Sequence, residues 1–543
     1  MPEGKEKYIV VLGSLLSGIG KGIVSSSICK IISFYDLKIL PLKFDGYLNY
    51  DCGTMNPLKH GEVFVLDDKS EVDMDFGTYE RFMNTSMNGS LSLTGGKLFS
   101  EIISRERKGD YLGEDIQIIP HLTGLIQDKV RAAYRDNKLD VLLIEVGGTV
   151  GDIESGYFIE AMRELAMKQD VVFVAVTYVP VIGVVGEQKT KPTQISMRSL
   201  MQIGVQPDFL VTRSEEELQE KTRNKIALFA NLEPDRVIDN HDLDSVYLVP
   251  EALMKKGLDT ALLKELGFSG RTINADLLSR WKACIPDRQN MKNAKISVVG
   301  KYVKLHDSYA SVREALMHAA HANNVSLEID WLESEELEGA DDNAVQERLR
   351  GSSGILVPGG FGNRGIEGML RAIRYAREHG VPYLGICLGM QLMAIEFARN
   401  VVGLQDAHST EFNLNTANPI ISLMESQKGV EGKGGTMRLG AWPALLAEGS
   451  HARRIYGTEM ISERHRHRYE FNNAYKGALS SKGLTIGGTT PDGALVEFIE
   501  WSGSFGIATQ AHPELKSRPE SPAPLFREFV KQAAAQSLKN PSA

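Results

Sequence analysis

Short runs of Val, Ile and Leu alternate with amphipathic stretches from the start of the chain. KYIVVLGSLL is followed further on by DVLLIEVGG, ESGYFIEAMRELAMK, DVVFVAVTYVP, KPTQISMRSLMQIG and PDFLVTR. Near-continuous apolar runs predict strands buried on both faces, and helical periodicity between them predicts helices laid on those faces. The pattern therefore reads as an α/β fold with a parallel sheet. A polar, less patterned segment from Phe268 to Asn293 reads as a helical linker. The strand–helix rhythm restarts at KISVVGKYV (Lys295 to Val303) and runs on through GILVPGG, VPYLGICLG and SFGIATQAHPE, so a second α/β domain is expected. The expected division is residues 1–267, a linker at 268–293, and residues 294–543, with SLKNPSA as a frayed end.

Composition narrows the class. A chain of 543 residues with 42% hydrophobic content exceeds what one core organises and is too apolar for a disordered protein. The net charge is -9 and the basic residues are scattered, which argues against nucleic acid as a partner. Cys29, Cys52, Cys284 and Cys387 lie far apart without a C-x-x-C pair, so no disulfide framework is expected and a reducing cytoplasm fits. MPEGKEK is charged and the apolar stretch after it is broken by Gly and Ser, which predicts neither a signal peptide nor a membrane span.

The first candidate site lies where YIVVLG runs into GSLLSGIGKG (Gly13 to Gly22) and then into the helical pattern IVSSSICKIISFY. Strand, glycine-rich turn and helix form a phosphate-binding loop, in which backbone N–H groups cradle phosphate oxygens and Lys21 supplies the cation. The run departs from G-x-x-x-x-G-K-[ST], because Gly22 follows the lysine, and a tight glycine turn without a ligand would read similarly. Asp75 in EVDMDFG and Glu145 at the end of DVLLIEVGG offer hard carboxylate oxygens for Mg²⁺ beside bound phosphates. On composition alone Asp75 is equally one solvated charge among several. KTKPTQ (Lys189 to Gln194) sets two cations in a short loop that could grip a second polyphosphate or be a charged surface loop ended by Pro192.

The second candidate site centres on VPYLGICLGMQLMAIEFA (Val381 to Ala398), read as a buried strand, a sharp G-I-C-L-G turn and an amphipathic helix. This is the cysteine counterpart of a nucleophile elbow, with the Cys387 thiol at a helix N-terminus that favours the thiolate. PGGFGNRG (Pro358 to Gly365) offers the Gly360 N–H, which with that of Leu388 would form an oxyanion hole. His512 and Glu514 in TQAHPE would be the base and its orienter.

Over nearly its whole length the chain resembles the CTP synthase family, the glutamine amidotransferases that convert UTP to CTP. SGIGKG, YLNYDCGTMNPLKHGEVFVLDD, ERKGDYLG, IEVGGTVGDIES, GEQKTKPTQ, KIALF, VPGGFGNRG, LGICLGMQ, STEF, GGTMRLG, ERHRHRYEFN and QAHPE match that family's segments in order. The resemblance implies a P-loop-like, dethiobiotin-synthetase-like synthetase domain joined to a triad-type glutaminase. It implies ATP contacts at Gly18, Ile19, Gly20, Lys21, Gly22, Ile23, Lys43 and Asp75, with Mg²⁺ held by Asp75 and Glu145. UTP contacts, shared with CTP as feedback inhibitor, would come from Ser17, Asp152, Ile153, Glu154, Lys189, Thr190, Lys191, Pro192, Thr193, Gln194 and Lys225. Cys387, His512 and Glu514 match the family's triad, and Gly360, Leu388, Gly389, Met390, Gln391, Glu411 and Arg466 its glutamine contacts, with Arg466 the clamp for the substrate carboxylate. GTP is implied as activator, and a homotetramer, with filaments as a further assembly, as the quaternary state. An internal passage would spare ammonia from protonation in bulk water.

The sequence also departs from the family. Gly46 and Cys52 stand where proline or alanine is common, and Asn56 replaces a usual serine, which is expected to loosen a loop without removing a charged ligand. Ala310 replaces a lysine found in some bacterial members, which bears on the GTP response. Two rival readings remain: an amidotransferase acting on a cobyrinate-type carboxylate, against which KTKPTQ and GDIES speak, and a silent nucleotide-binding scaffold, against which the intact triad speaks.

Overall fold

The computed structural model describes residues 5–14, 16, 18–182, 186–285, 291–424 and 436–539. By their contacts these form two compact units, Met1–Asp51 with Thr78–Ile285 and Cys52–Gly77 with Pro286–Ala543.

The first unit is built on seven strands: β1 (Lys7–Gly13), β2 (Ile39–Asp45), β3 (Ser92–Thr94), β4 (Val141–Val146), β5 (Asp170–Tyr178), β6 (Phe209–Ser214) and β7 (Val237–His241). Their order is β7-β6-β5-β1-β4-β2-β3 and every pairing is parallel. The register sets Tyr8 beside Leu142 on one side and Val171 on the other. All six residues of β4 are buried, Glu145 among them, as the apolar runs predict for a sheet covered on both faces. The helices include α1 (Lys21–Ser33), α2 (Asp75–Met83, in this unit from Thr78 on), α3 (Ile153–Ala166), α4 (Lys191–Gln202), α5 (Glu220–Ala230) and α6 (Ala275–Ala283). Because β1 lies between β4 and β5, the turns leaving all three strands emerge side by side at their carboxyl ends, where ligands bind open α/β sheets.

The division by contacts differs from the one drawn on the sequence. The segment expected to link the domains is largely part of the first unit, because α6 carries Trp281, 1% exposed, against Phe82 and Tyr247. The indole donates to the Tyr247 carbonyl at 3.1 Å, and Lys30 lies over the ring. One aromatic in a polar stretch leaves little periodic signal, yet buries enough apolar surface to fix a helix. Cys52–Gly77, expected in the first domain, packs with the second unit.

The second unit has a nine-stranded sheet of β8 (Lys292–Gly300), β9 (Val325–Glu333), β10 (Gly354–Val357), β11 (Tyr383–Ile386), β12 (Arg438–Leu446), β13 (Met460–His467), β14 (Leu484–Thr489), β15 (Val496–Trp501) and β16 (Gly506–Thr509). The order is β9-β8-β10-β11-β16-β15-β14-β12-β13, parallel from β9 to β16 and antiparallel beyond. Helices α7 (Ala310–Ala322), α8 (Ile366–His379), α9 (Leu388–Phe397) and α10 (Pro524–Lys539) flank it. The expected amphipathic character of α9 is not found: every residue from Leu388 to Phe397 is buried. Glu396, its one charge, is 0% exposed and held by Arg377 at 2.7 Å. A helix enclosed all round needs no polar face.

No helix among the described residues is long and apolar enough to cross a membrane.

Candidate active sites

In the first unit β1 ends at Gly13, and α1 opens after Gly20, whose φ of 88° together with 72° at Gly18 gives the left-handed backbone that glycine adopts at little cost. Lys21 folds back over Gly13, where a Cβ would come within 2.4 Å of its Nζ, and donates to the Gly148 carbonyl at 2.8 Å. The side-chain oxygens of Ser25, Ser26 and Ser27 are buried in α1 without a hydrogen-bond partner. A helix N-terminus, a lysine folded over the loop and turns from the neighbouring strands make a cradle for phosphate oxygens. Arg213 braces it by donating to the Gly18 carbonyl at 3.0 Å while bonding Asp242 at 3.1 Å. Neither residue was picked out from the sequence, since their chain separation from the loop hides the contact.

Glu145 and Lys43 form a buried pair at 2.7 Å, with side chains 1% and 5% exposed, and Tyr79 donates to the second Glu145 oxygen at 2.7 Å. Glu145 thus has the neutralising partner a buried carboxylate requires. Asp75 is the first residue of α2, its N–H bonded to the Asp73 carboxylate. Each carboxylate by itself, Glu145 in the first unit and Asp75 in the segment that packs with the second, offers the hard oxygens that a divalent cation prefers. Lys43 supplies the charge that such an ion would bring to Glu145. Among the described residues no three His, Cys, Asp or Glu gather into a metal cluster, so substrate phosphates and water would complete the coordination, as Mg²⁺ prefers.

The expected UTP residues fall at neighbouring strand ends. Asp152 is the N-cap of α3 and accepts from the N–H and hydroxyl of Thr149, both at 2.8 Å. Ile153 and Glu154 open α3, and Ile153 is 91% exposed. KTKPTQ is not the loop expected: Lys191 begins α4 and Pro192 stands in its first turn, where the missing N–H costs nothing. Lys189 pairs with Glu187 at 2.5 Å, Gln194 donates to Thr190 and Thr193 shares a hydrogen bond with Thr177. Lys225 lies in α5 and Ser17 lies outside the described residues. At Gly46 a Cβ would stand 2.7 Å from the Glu154 carbonyl, so the glycine permits a close approach as well as loosening the loop. Asn56 caps its short helix through the Leu58 N–H, as the serine it replaces would.

In the second unit β11 runs into Cys387 at φ 51° and ψ −100°, a left-handed conformation unusual for a residue with a Cβ. The strain holds the thiol at the head of α9. His512 binds Glu514 through Nδ1 at 2.7 Å, which leaves Nε2 buried without a hydrogen-bond partner. Cys387, His512, Glu514, Gly359, Gly360 and Arg466 all line one cavity of about 80 Å³. Gly359 must be glycine, since a Cβ there would lie 2.8 Å from the His512 ring. Burial opposes a charge on His512, but Glu514 and then Cys387 outweigh it and push the imidazole up to about 10. A carboxylate-oriented imidazole that favours its proton thus stands in the cavity that Cys387 lines.

The loop that carries Gly360 is pinned from outside. Lys301, at the carboxyl end of β8, donates to the carbonyls of Phe361 and Gly362, and burial lowers its pKa to about 8. The Phe361 N–H goes to the Tyr302 hydroxyl and the Gly362 N–H to Glu411 at 3.0 Å. Burial, against the Gly362 N–H and Lys301, raises the Glu411 carboxyl. Among the described residues the N–H groups of Gly360 and Leu388 have no protein acceptor, as oxyanion donors require.

Arg466 differs from expectation in its partners. It lines the cavity, but its Nε pairs with Glu71 at 2.8 Å and Nη2 donates to the Gly53 carbonyl at 3.0 Å. Arg464, 0% exposed, grips Asp67 at 2.7 Å and the Leu515 carbonyl, and the N–H and hydroxyl of Ser311 both bind Glu62. These contacts fasten Cys52–Gly77 onto the second unit, and none is visible from spacing along the chain.

Residues 7–268 match the family model for the CTP synthase N-terminus, and residues 304–532 that for class-I glutamine amidotransferases. A CTP synthase of Caldanaerobacter subterraneus subsp. tengcongensis is 48% identical over 98% of this chain and 99% of its own. The chain belongs to the CTP synthase family. A CTP synthase of Thermococcus gammatolerans is likewise 48% identical, over 97% of this chain and 98% of its own. The glutaminase domain of Trypanosoma brucei CTPS, solved with acivicin bound, is 40% identical over 45% of this chain and 94% of its own, with a TM-score of 0.43. As a CTP synthase family member the chain is an ATP-dependent ligase that aminates UTP to CTP with nitrogen from glutamine. The cobyrinate-type and silent-scaffold readings fall away.

Proposed function

We propose that the work is divided by unit. In the second unit the Cys387 thiolate attacks the carboxamide carbon of glutamine, and the N–H groups of Gly360 and Leu388 receive the oxyanion. His512, oriented by Glu514, gives its proton to the departing nitrogen, so ammonia leaves and a thioester remains. Water, deprotonated by His512, then releases glutamate and restores the thiolate. The observation that carries this half is the His512–Glu514 contact of 2.7 Å in the cavity lined by a strained Cys387.

In the first unit the γ-phosphoryl of ATP passes to O4 of UTP with release of ADP, and ammonia displaces the resulting phosphate at C4. Catalysis there is positioning and charge neutralisation, in which Lys21 and Lys43 meet the phosphates while Asp152 to Glu154, Lys189 to Gln194, Lys225 and Ser17 hold UTP. Mg²⁺, held by Asp75 and Glu145, would neutralise phosphate charge. Glutamine would be held by Gly389, Met390, Gln391, Glu411 and Arg466 beside the triad, with Arg466 exchanging Glu71 for the substrate carboxylate. Family membership supports GTP as activator, CTP as inhibitor at the UTP site, and a homotetramer able to form filaments. The four free thiols are in keeping with the cytoplasm.

The test is CTP formation from UTP and MgATP with glutamine or with ammonia. Cys387→Ala is expected to abolish the glutamine-dependent reaction and spare the ammonia-dependent one. Lys21→Ala is expected to lose both syntheses while still hydrolysing glutamine. Loss of both syntheses in Cys387→Ala, or normal CTP formation by Lys21→Ala, would overturn the division.

A further inference from the structure

We propose that Gln510 is a further residue of the glutaminase site, a neutral donor that stabilises negative charge on the Cys387 sulfur. The inference rests on Cys387 being the nucleophile. Gln510 follows β16, is 0% exposed, and places its side-chain Nε2 3.6 Å from Cys387 Sγ, within hydrogen-bond reach for sulfur. Its backbone is fixed on both sides: the Gln510 N–H donates to Glu497, and the neighbouring Thr509 carbonyl accepts from the Cys387 N–H at 2.8 Å.

The orientation of the amide follows from a chain of hydrogen bonds that starts at a backbone carbonyl. The Tyr469 carbonyl can only accept, so Gln391 must present its Nε2 there, at 3.1 Å. The same nitrogen carries a second hydrogen and lies 3.2 Å from the Gln510 oxygen. Gln510 must therefore offer Oε1 to Gln391 and turn its own Nε2 toward sulfur. Reversing either amide would set two donors or two acceptors face to face, a cost that burial makes large. Gln391 and Gln510 are buried, 4% and 0% exposed, and their bond to each other and the Gln510 contact with Cys387 are enclosed, while the bond to Tyr469 is part-buried.

The sulfur carries negative charge twice, before it attacks and again when it leaves the thioester. Once His512 has given its proton to ammonia it is neutral and can take the proton of the incoming water. In that step the water oxygen bonds to the carbonyl carbon, its proton passes to His512, the C–S bond breaks and its electron pair returns to Sγ. An amide donor does not titrate, so it meets the charge on Sγ beside His512 whichever proton state the imidazole holds. The titratable groups lining the cavity with Cys387 are Glu62, Tyr302, Tyr309, Arg466, His512 and Glu514.

The experiment measures alkylation of the full-length enzyme by iodoacetamide against pH, read on the peptide carrying Cys387, with glutaminase and ammonia-dependent CTP assays in parallel. Gln510→Met removes the donor with little change in volume. The expected result is a rise of about one unit in the alkylation midpoint and a roughly tenfold fall in glutaminase kcat, since a bond to a charged group commonly carries that much. KM for glutamine and ammonia-dependent synthesis should be unchanged. Gln510→Glu, which still accepts from Gln391 but faces sulfur with a carboxylate oxygen, should raise the midpoint further. Should Gln510→Met fold poorly, Gln510→Asn withdraws the amide by one methylene and should give the same shift. An unmoved midpoint in folded variants would overturn the role of Gln510, whereas retained glutaminase in Cys387→Ala would overturn the nucleophile itself.

Discussion

Replacing Lys43 by Met tests whether the buried pair it forms between β2 and β4 supports the fold as well as the chemistry. Lys43 and Glu145 are 5% and 1% exposed at their side chains and 2.7 Å apart. Removing one partner leaves a carboxylate buried in a parallel strand with the Tyr79 hydroxyl at 2.7 Å. Breaking a buried pair in this way costs about 3–5 kcal/mol. The retained Tyr79 bond offsets roughly 1 kcal/mol of that, so a loss of about 3 kcal/mol is expected. In a unit of this size that corresponds to a fall of about 6–12 °C in the first melting transition. The double variant Lys43→Met/Glu145→Gln removes both charges and keeps an acceptor for Tyr79, so its loss should stay below about 1.5 kcal/mol.

The assay is differential scanning calorimetry of parent, single and double variants at one scan rate and pH, with CTP formation measured beside it. Both variants are expected to lose synthesis from ammonia, because Lys43 is assigned to phosphate, while retaining glutamine hydrolysis. If single and double variants melt alike, the stranded charge is not what destabilises Lys43→Met, and the reasoning fails.

Glu514→Gln bears on the pH dependence of stability. His512 in the folded chain is raised from 6.5 to about 10. The sign is that of a raised base: its contribution is complete below the unfolded value and is lost as pH rises through the folded one. The melting-temperature gap between parent and variant should therefore be widest below pH 6.5, narrow above it and close toward pH 10; a gap independent of pH would refute the pairing. Glu71→Gln replaces a charge-assisted partner of Arg466 by a neutral one and leaves the guanidinium freer for a substrate carboxylate. The glutamine KM should fall roughly tenfold with kcat little changed, given the usual difference between charged and neutral hydrogen bonds; a rise in KM would mean that Glu71 aims Arg466. Gly46→Ala sets a Cβ 2.7 Å from the Glu154 carbonyl, so the KM for UTP in ammonia-dependent synthesis should rise. An unchanged value would detach Glu154 from UTP.

What could be read from the chain was whatever neighbours in sequence decide. YIVVLG followed by glycines and a helical run places β1, the loop and α1 because propensity, burial and turn chemistry act within a score of residues or so. The same holds for the strand, sharp turn and helix that position Cys387, and for His512 and Glu514, which a single proline separates. That the segment read as a helical linker packs with the first unit was not legible, because Trp281 finds Phe82 and Tyr247 only in the fold. Arg466 shows the limit most clearly. Its place in ERHRHRYEFN, through the family resemblance, suggests a carboxylate clamp, and it lines the cavity with Cys387. The carboxylate it meets belongs to Glu71, 395 residues away. No periodicity encodes that pairing, because it depends on Cys52–Gly77 packing in the second unit. The partner supplied by the fold has the chemistry the substrate would bring, so the residue type was informative about the ligand class and silent about the competitor. Gln510 is the converse case. An uncharged side chain one position before Ala511 and His512 carries no signal of its own, and its orientation follows only once Tyr469, Gln391 and Cys387 are brought together.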